Sequence, residues 1–230
     1  MHFSHAAEIW NDFPELVPGV LSADGIRPDV AVSTRTAELE AVATLKLATQ
    51  SEGELPEIRA WRRTFTRMGL KPTQYRSASE SLLRRFRKQG SLPQIHPLID
   101  LCNAASLAFA IPVAVFDVAK VADYLEVRYA NGSERYESFG GEVESPESGE
   151  VIFADATGRA HARRWTNRQS AYSAVHPSTS TVVIVAEAMH NSARPDVERL
   201  LDKLADELQI IWSVDSRSAV LTSASPRSAL

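Results

Sequence analysis

One cysteine, Cys102, stands in a chain of 230 residues, so no internal disulfide can staple it. No apolar run approaches the ~18–20 residues that span a bilayer. No lysine or arginine precedes Arg27, and Glu8, Asp12 and Glu15 come early, so the basic n-region of a secretory signal is missing. These absences predict the cytoplasm and no membrane association. Basic charge is not in excess either: 25 Lys and Arg against 29 Asp and Glu give a net charge of −4. A nucleic-acid ligand would therefore have to meet a local basic patch on an acidic body. The phosphate loop Gly-x-x-x-x-Gly-Lys, the dinucleotide motif Gly-x-Gly-x-x-Gly and the hydrolase elbow Gly-x-Ser-x-Gly are all absent. His96, His161, His176 and His190 have no metal-ligand spacing and no partner cysteines, so neither a metal nor a cofactor is expected. His2 and His5 read as part of a disordered end.

What is there is an ordinary globular composition, 44% apolar and 23% charged, which excludes a disordered chain. Residues 1–15 carry too weak a pattern to assign. Leu16 to Ala23 reads as a strand closed by Asp24-Gly25. Thr34 to Gln50 repeats its leucines at helical spacing. Pro56 to Met68 is a second helix, with proline in its first turn and Gly69 as its stop. Ser77 to Gln89 is a third, opened by a Ser77/Glu80 capping box and closed by Gly90. Pro97 to Ala110 is a fourth, mostly apolar.

Beyond it the period changes to two. Leu125, Val127 and Tyr129 alternate with Glu126 and Arg128, and Asn131-Gly132 predicts a type I′ hairpin. Strands follow at 135–139, 150–154 and 159–165, and a buried β-branched strand at Thr181 to Ala186. A helix is expected from Ser192 or Asp196 to Leu208, then a last strand at Ile210 to Val214. The Ser/Ala-rich segment 216–230 is expected to be a flexible tail. No linker divides the chain, so the expectation is one α/β (α+β) domain over 1–215. Its N-terminal helices would pack on a mostly antiparallel sheet.

Polar groups in apolar settings are the candidate site. Asp100 and Asn103 lie in the apolar fourth helix, where a buried carboxylate and amide must be paired; they make either a structural network or a pocket wall. Cys102 beside them reads as an inert core thiol. Arg163-Arg164-Trp165-Thr166-Asn167-Arg168-Gln169-Ser170 is a denser group. Three guanidiniums, an indole and two amides suit a polyanion with stacking bases, unless they merely cap an exposed strand end. Trp61-Arg62-Arg63 and Arg84-Arg85-Phe86-Arg87-Lys88 are further basic groups.

These groups recur in an ordered series. Trp61-Arg62-Arg63, Met68-Gly69-Leu70-Lys71-Pro72 and Tyr75-Arg76-Ser77-Ala78-Ser79-Glu80 form one block. Leu92-Pro93, Ile95, Leu98-Ile99-Asp100 and Asn103 form a second. Pro112, Phe116-Asp117, Glu126-Val127-Arg128-Tyr129-Ala130, Gly149-Glu150-Val151, Asp155, Arg164-Trp165-x-Asn167-Arg168-Gln169-Ser170 and Thr179 to Glu187 follow. The series resembles free-standing relatives of the editing module, the B3/B4 domain, of the bacterial phenylalanyl-tRNA synthetase β chain, best over 55–190.

The resemblance implies that module's fold and an aminoacyl-ester hydrolase acting in trans on mischarged tRNA, of the Tyr-tRNA(Phe) kind. A second hydrolytic sieve is useful because binding alone rejects an added hydroxyl weakly. The alternative is a binding module of the same fold, for RNA or an amino acid, without chemistry. The resemblance implies Asn103, Glu187 and Asn167 as catalytic, and Asp100, Cys102, Ala114, Trp165, Arg168 and Ser170 as substrate-binding. Arg62, Arg63, Arg76, Arg84, Arg85 and Arg164 would contact the tRNA. Two departures from the family pattern stand out: Ala114 occupies the pocket-histidine position, and the bulky segment Arg164 to Ser170 replaces a glycine-rich loop.

Overall fold

Alternation of apolar side chains between two faces decides the layering of this molecule, a computed structural model describing residues 1–230. The chain begins with β1 (His2–His5), α1 (Ala7–Asp12), β2 (Val17–Ala23) and α2 (Ser33–Thr49). Three more helices follow, α3 (Pro56–Arg67), α4 (Ala78–Gln89) and α5 (Pro97–Phe109). Then come β3 (Val113–Asp117), β4 (Tyr124–Tyr129), β5 (Tyr136–Glu137), β6 (Val143–Glu144), β7 (Val151–Ala154), β8 (Ala160–Arg163) and β9 (Arg168–Gln169). The chain closes with β10 (Val182–Ala188), α6 (Ala193–Trp212), β11 (Ser216–Val220) and β12 (Arg227–Ala229). No helix is long and apolar enough to cross a membrane.

Two main sheets stack. One has the order β11-β2-β10-β3 and the other β12-β1-β4-β7-β8-β9, while β5 and β6 form a small ribbon. Only the β1–β4 pairing within the sheets is parallel. Every residue of β10 is buried, as a strand covered on both faces must be. Val182, Ile184, Ala186 and Ala188 face a core shared with α5 and α6. Val183 and Val185 face the other way, into a core shared with Phe3, Leu125, Val127 and Phe153 of the six-stranded sheet. By that parity Glu187 is aimed between the sheets. The layers are thus helices, four-stranded sheet, six-stranded sheet.

Local signals act where they were read. Ser77 Oγ accepts from the Glu80 N–H, and Gly90 ends α4 with φ of 74°. The capping box is only half made, because the Glu80 carboxylate turns to Arg62 instead. Helix α6 crosses the sheet closely at Gly19: a Cβ there would lie 2.5 Å from Val197 Cγ1 and 2.8 Å from Leu201 Cδ1.

Several expectations are corrected. The unassigned N-terminus forms β1 and α1, and His5 is buried rather than disordered. Asn131-Gly132 is no type I′ hairpin, because only Gly132 has positive φ and β4 pairs with β1 and β7. The Asn131 side chain accepts from the Ser133 N–H at 2.8 Å and makes an Asx turn. Residues 210–212 continue α6, whose apolar face runs on to the buried Trp212, so no strand begins there. The tail from Ser216 pairs instead of fraying: β11 adds to β2 and β12 to β1.

Gly19→Val is expected to destabilise the protein by about 1–3 kcal/mol through overpacking against α6, read from the urea midpoint.

Candidate functional site

Glu187 is 2% exposed and its carboxylate is claimed on both oxygens. His5 Nε2 lies 2.7 Å from Oε1, and Trp165 Nε1 donates to Oε2 at 3.0 Å. Trp61 Nε1 donates to the backbone oxygen of the same residue at 3.2 Å. One residue therefore joins β10, the N-terminal strand, the β8–β9 turn and α3. The surroundings are aromatic. Trp165 meets Trp61 and Phe13 edge-on, with ring centroids 5.3 and 4.9 Å apart, and His5 packs on Phe3 and Trp10. His5 Nδ1 is buried with no partner.

Trp165 reaches Glu187 from a strained turn. Arg164 and Trp165 both take left-handed backbone, with φ of 48° and 56°, which costs roughly 1–2 kcal/mol per residue. Glycines would adopt it freely. Two bonds hold the turn: the Trp165 N–H donates to the Val151 carbonyl at 2.7 Å, and the Arg164 N–H to Glu150 Oε1 at 2.9 Å. Complete burial of the indole, worth about 1.5–3 kcal/mol, offsets the strain.

Beside this turn opens a cleft of about 400 Å³, part of it continuous with solvent. Pro112, Val113, Ala114, Phe153 and Val185 give it an apolar floor. Trp165, Thr166, Asn167, Arg168, Gln169 and Glu187 supply its polar wall. Ala114 is the register partner of Val185, two residues from Glu187 on the same face. Asn167 Nδ2 donates to the Arg76 carbonyl at 2.7 Å, and Gln169 Nε2 to the Val115 carbonyl at 2.5 Å. Thr166 Oγ1 is buried and has no partner.

The cleft gathers five of the sequence-predicted residues: Glu187, Asn167, Ala114, Trp165 and Arg168. The others lie elsewhere. Asp100 and Asn103 are half-buried and line a separate groove with Ser33, Thr36 and Gln94; Asp100 Oδ1 caps the Ile95 N–H at 2.8 Å. Cys102 is sealed in the helix–sheet core, where burial pushes its thiol up to about 12. Ser170 is fully buried and donates to the Glu137 carbonyl at 2.9 Å.

The arginines are mostly ties. Arg62 and Arg76 hold the buried Glu80, at 2.7 and 3.4 Å. Arg84 and Arg87 hold the buried Glu52, at 3.0 and 3.1 Å. Arg164 lies 4.8 Å over the Tyr75 ring and 3.9 Å from Glu150. Arg85 bonds Gln89, and Arg63 is exposed without an ion pair. Composition made these clusters look like a phosphate surface; the buried acids beneath them were not visible in it.

Sequence reasoning missed His5, and it named Thr166 and Gln169 only as members of the basic segment, without a role of their own. Phe3 and His5 do alternate inward, but four residues are too short for that signal to register.

A family model described as the B3/4 domain matches residues 60–202. Among solved structures, an N-terminal fragment of the phenylalanyl-tRNA synthetase β-subunit from Pyrococcus horikoshii is similar with a TM-score of 0.48 and 11% identity. The likeness covers 94% of this chain and 49% of that one, so this chain spans about half its length. No curated protein sequence matches the chain significantly.

Trp165→Phe should cost about 1–3 kcal/mol, because it leaves Glu187 Oε2 buried without its donor; chemical denaturation measures it. Cys102 should resist alkylation at pH 8 in the native protein and react on unfolding, as followed by mass spectrometry.

Proposed function

The chain belongs to the B3/4 domain family, and on that premise we propose that it hydrolyses the aminoacyl ester of a mischarged tRNA in trans. The observation carrying this reading is the cleft itself, in which an apolar floor meets a polar wall that includes Asn167, Arg168 and Glu187. The amino-acid side chain would lie on Val113, Ala114, Phe153 and Val185. Asn167 and the exposed Arg168 at the rim would receive the terminal adenosine.

Hydrolysis needs no covalent nucleophile if a water is held in line with the ester carbonyl. The water oxygen bonds to the carbonyl carbon, and the proton it releases passes to the departing ribose oxygen. The bond from that carbon to the ribose oxygen then breaks, and that oxygen, now protonated, leaves as the ribose hydroxyl. Glu187 would orient the water, with His5 and Trp165 fixing the carboxylate in place. Asp100 and Asn103 have no part in this version of the mechanism. Such a reaction belongs in the cytoplasm, where aminoacyl-tRNA is made and used.

One observation favours a second reading, a pocket that binds the aminoacyl end without cleaving it. Both Glu187 oxygens already accept hydrogen bonds, which limits the carboxylate as a proton acceptor.

The test is release of amino acid from preformed Tyr-tRNA(Phe) and a panel of other mischarged tRNAs. Rapid release from one of them, reduced at least ~100-fold by Glu187→Gln with unchanged circular dichroism, is the expected result. Glutamine keeps an acceptor for His5 or Trp165 and so spares the fold. Binding of the panel without release by the folded protein would leave the second reading standing.

A further inference from the structure

Most arginines of this protein are paired with acids, but Arg59 and Arg63 are not. They stand one helical turn apart on α3, exposed, with no ion pair to either. Both line an open recess, together with Glu54 and Pro56. Across it lie His190, Asn191 and Ser192, the residues leading into the 20-residue α6. A helix N-terminus presents partial positive charge to its surroundings.

The helix end alone would mean little. His190 supplies the second observation: its side chain is only 3% exposed, its Nε2 is held by Asp196 at 2.8 Å, and its Nδ1 has no partner. The nearby acids are already engaged. Glu54, also on the rim, caps the Ser51 N–H and hydroxyl, each at 2.8 Å. Asp196 bonds His190, Ser192 and Arg199.

We infer that this recess is a phosphate-binding site that takes the backbone phosphates of an RNA. Two guanidiniums at one-turn spacing and a helix N-terminus facing them together suit a phosphate diester. The recess is tied to the cleft. His190 follows Glu187 by three residues, which span at most about 11 Å. Trp61, between the two arginines in sequence, donates to the Glu187 backbone. Trp61 faces the cleft and Arg59 and Arg63 face the opposite side of α3, so an RNA contacting both would have to wrap the edge of that helix. The inference rests on the tRNA reading of the cleft for the identity of the RNA, but not for the phosphate chemistry.

The experiment measures binding of uncharged tRNA to the full chain by fluorescence anisotropy across a salt series, so that ester hydrolysis plays no part. Arg59→Gln/Arg63→Gln should bind at least tenfold more weakly at low salt, with the slope of log affinity against log salt shallower by about 1.4–2. Arg217→Gln removes an exposed, unpaired charge on β11 and should bind as the parent does. Unchanged melting temperatures would exclude misfolding. An unaltered affinity and slope in the double variant would overturn the inference, as would failure of the parent chain to bind tRNA. Inorganic phosphate that is bound by the parent but does not compete with tRNA would mark a free-anion site and overturn the RNA assignment. Loss of deacylation with this binding intact would instead remove the proposed activity alone.

Discussion

A carboxylate held between two sheets is the interaction on which the layers converge. Glu187 stands where β10 places an inward residue, and an unpartnered acid there would carry a desolvation penalty of several kcal/mol. Three distant elements answer it. Their donors come from His5, Trp165 and, through the backbone, Trp61. Meeting that demand anchors the N-terminal strand, holds the β8–β9 turn in a left-handed geometry that Arg and Trp seldom adopt, and docks α3 against the end of β10. The cleft is shaped by the same turn, so its stability and its geometry have one origin.

Buried acids recur as anchors for exposed cations. Glu207 is fully buried and held by Arg35 at 2.7 and 2.8 Å and by Lys203 at 2.7 Å, which pins α2 to α6. Glu80 and Glu52 do the same for α3 and α4. Each is a buried or half-buried charge pair, expensive to break from one side because the other charge would remain. The consequence for recognition is direct. A guanidinium already satisfied by a buried carboxylate has less to offer a phosphate than one in open solvent. The charge available for a polyanion is therefore much smaller than the 25 basic residues imply.

The turn that carries Trp165 joins this stability logic to specificity. Filling a position that glycine would leave open puts an indole against the carboxylate and brings Thr166, Asn167 and Arg168 to the rim. Ala114, small and opposite Val185, leaves room on the facing strand. The floor of this cleft offers shape and its wall offers hydrogen-bonding groups. Enzymes separate side chains differing by one hydroxyl well only when the site is built to bond that hydroxyl.

Helices α2 to α5, the stop glycines, the Ser77 cap and the alternation in β4 follow from contacts three or four residues apart, or from a period of two. The sequence alone determined these, and with them the α/β class. Five cleft residues were legible through the resemblance of ordered short motifs. Other features depend on partners that local pattern does not contain. His5 and Glu187 are 182 residues apart, and a four-residue strand gives no periodic signal of its own. The tail was polar and small in composition, yet β11 and β12 complete two sheets because edge strands β2 and β1 offered them backbone partners. Asn103 and Glu187 matched one family motif series but were separated into a groove and a cleft. Residue type and spacing set what each segment can form; only the packing of the three layers decided which polar groups meet, because burial makes an unpaired one too costly to keep.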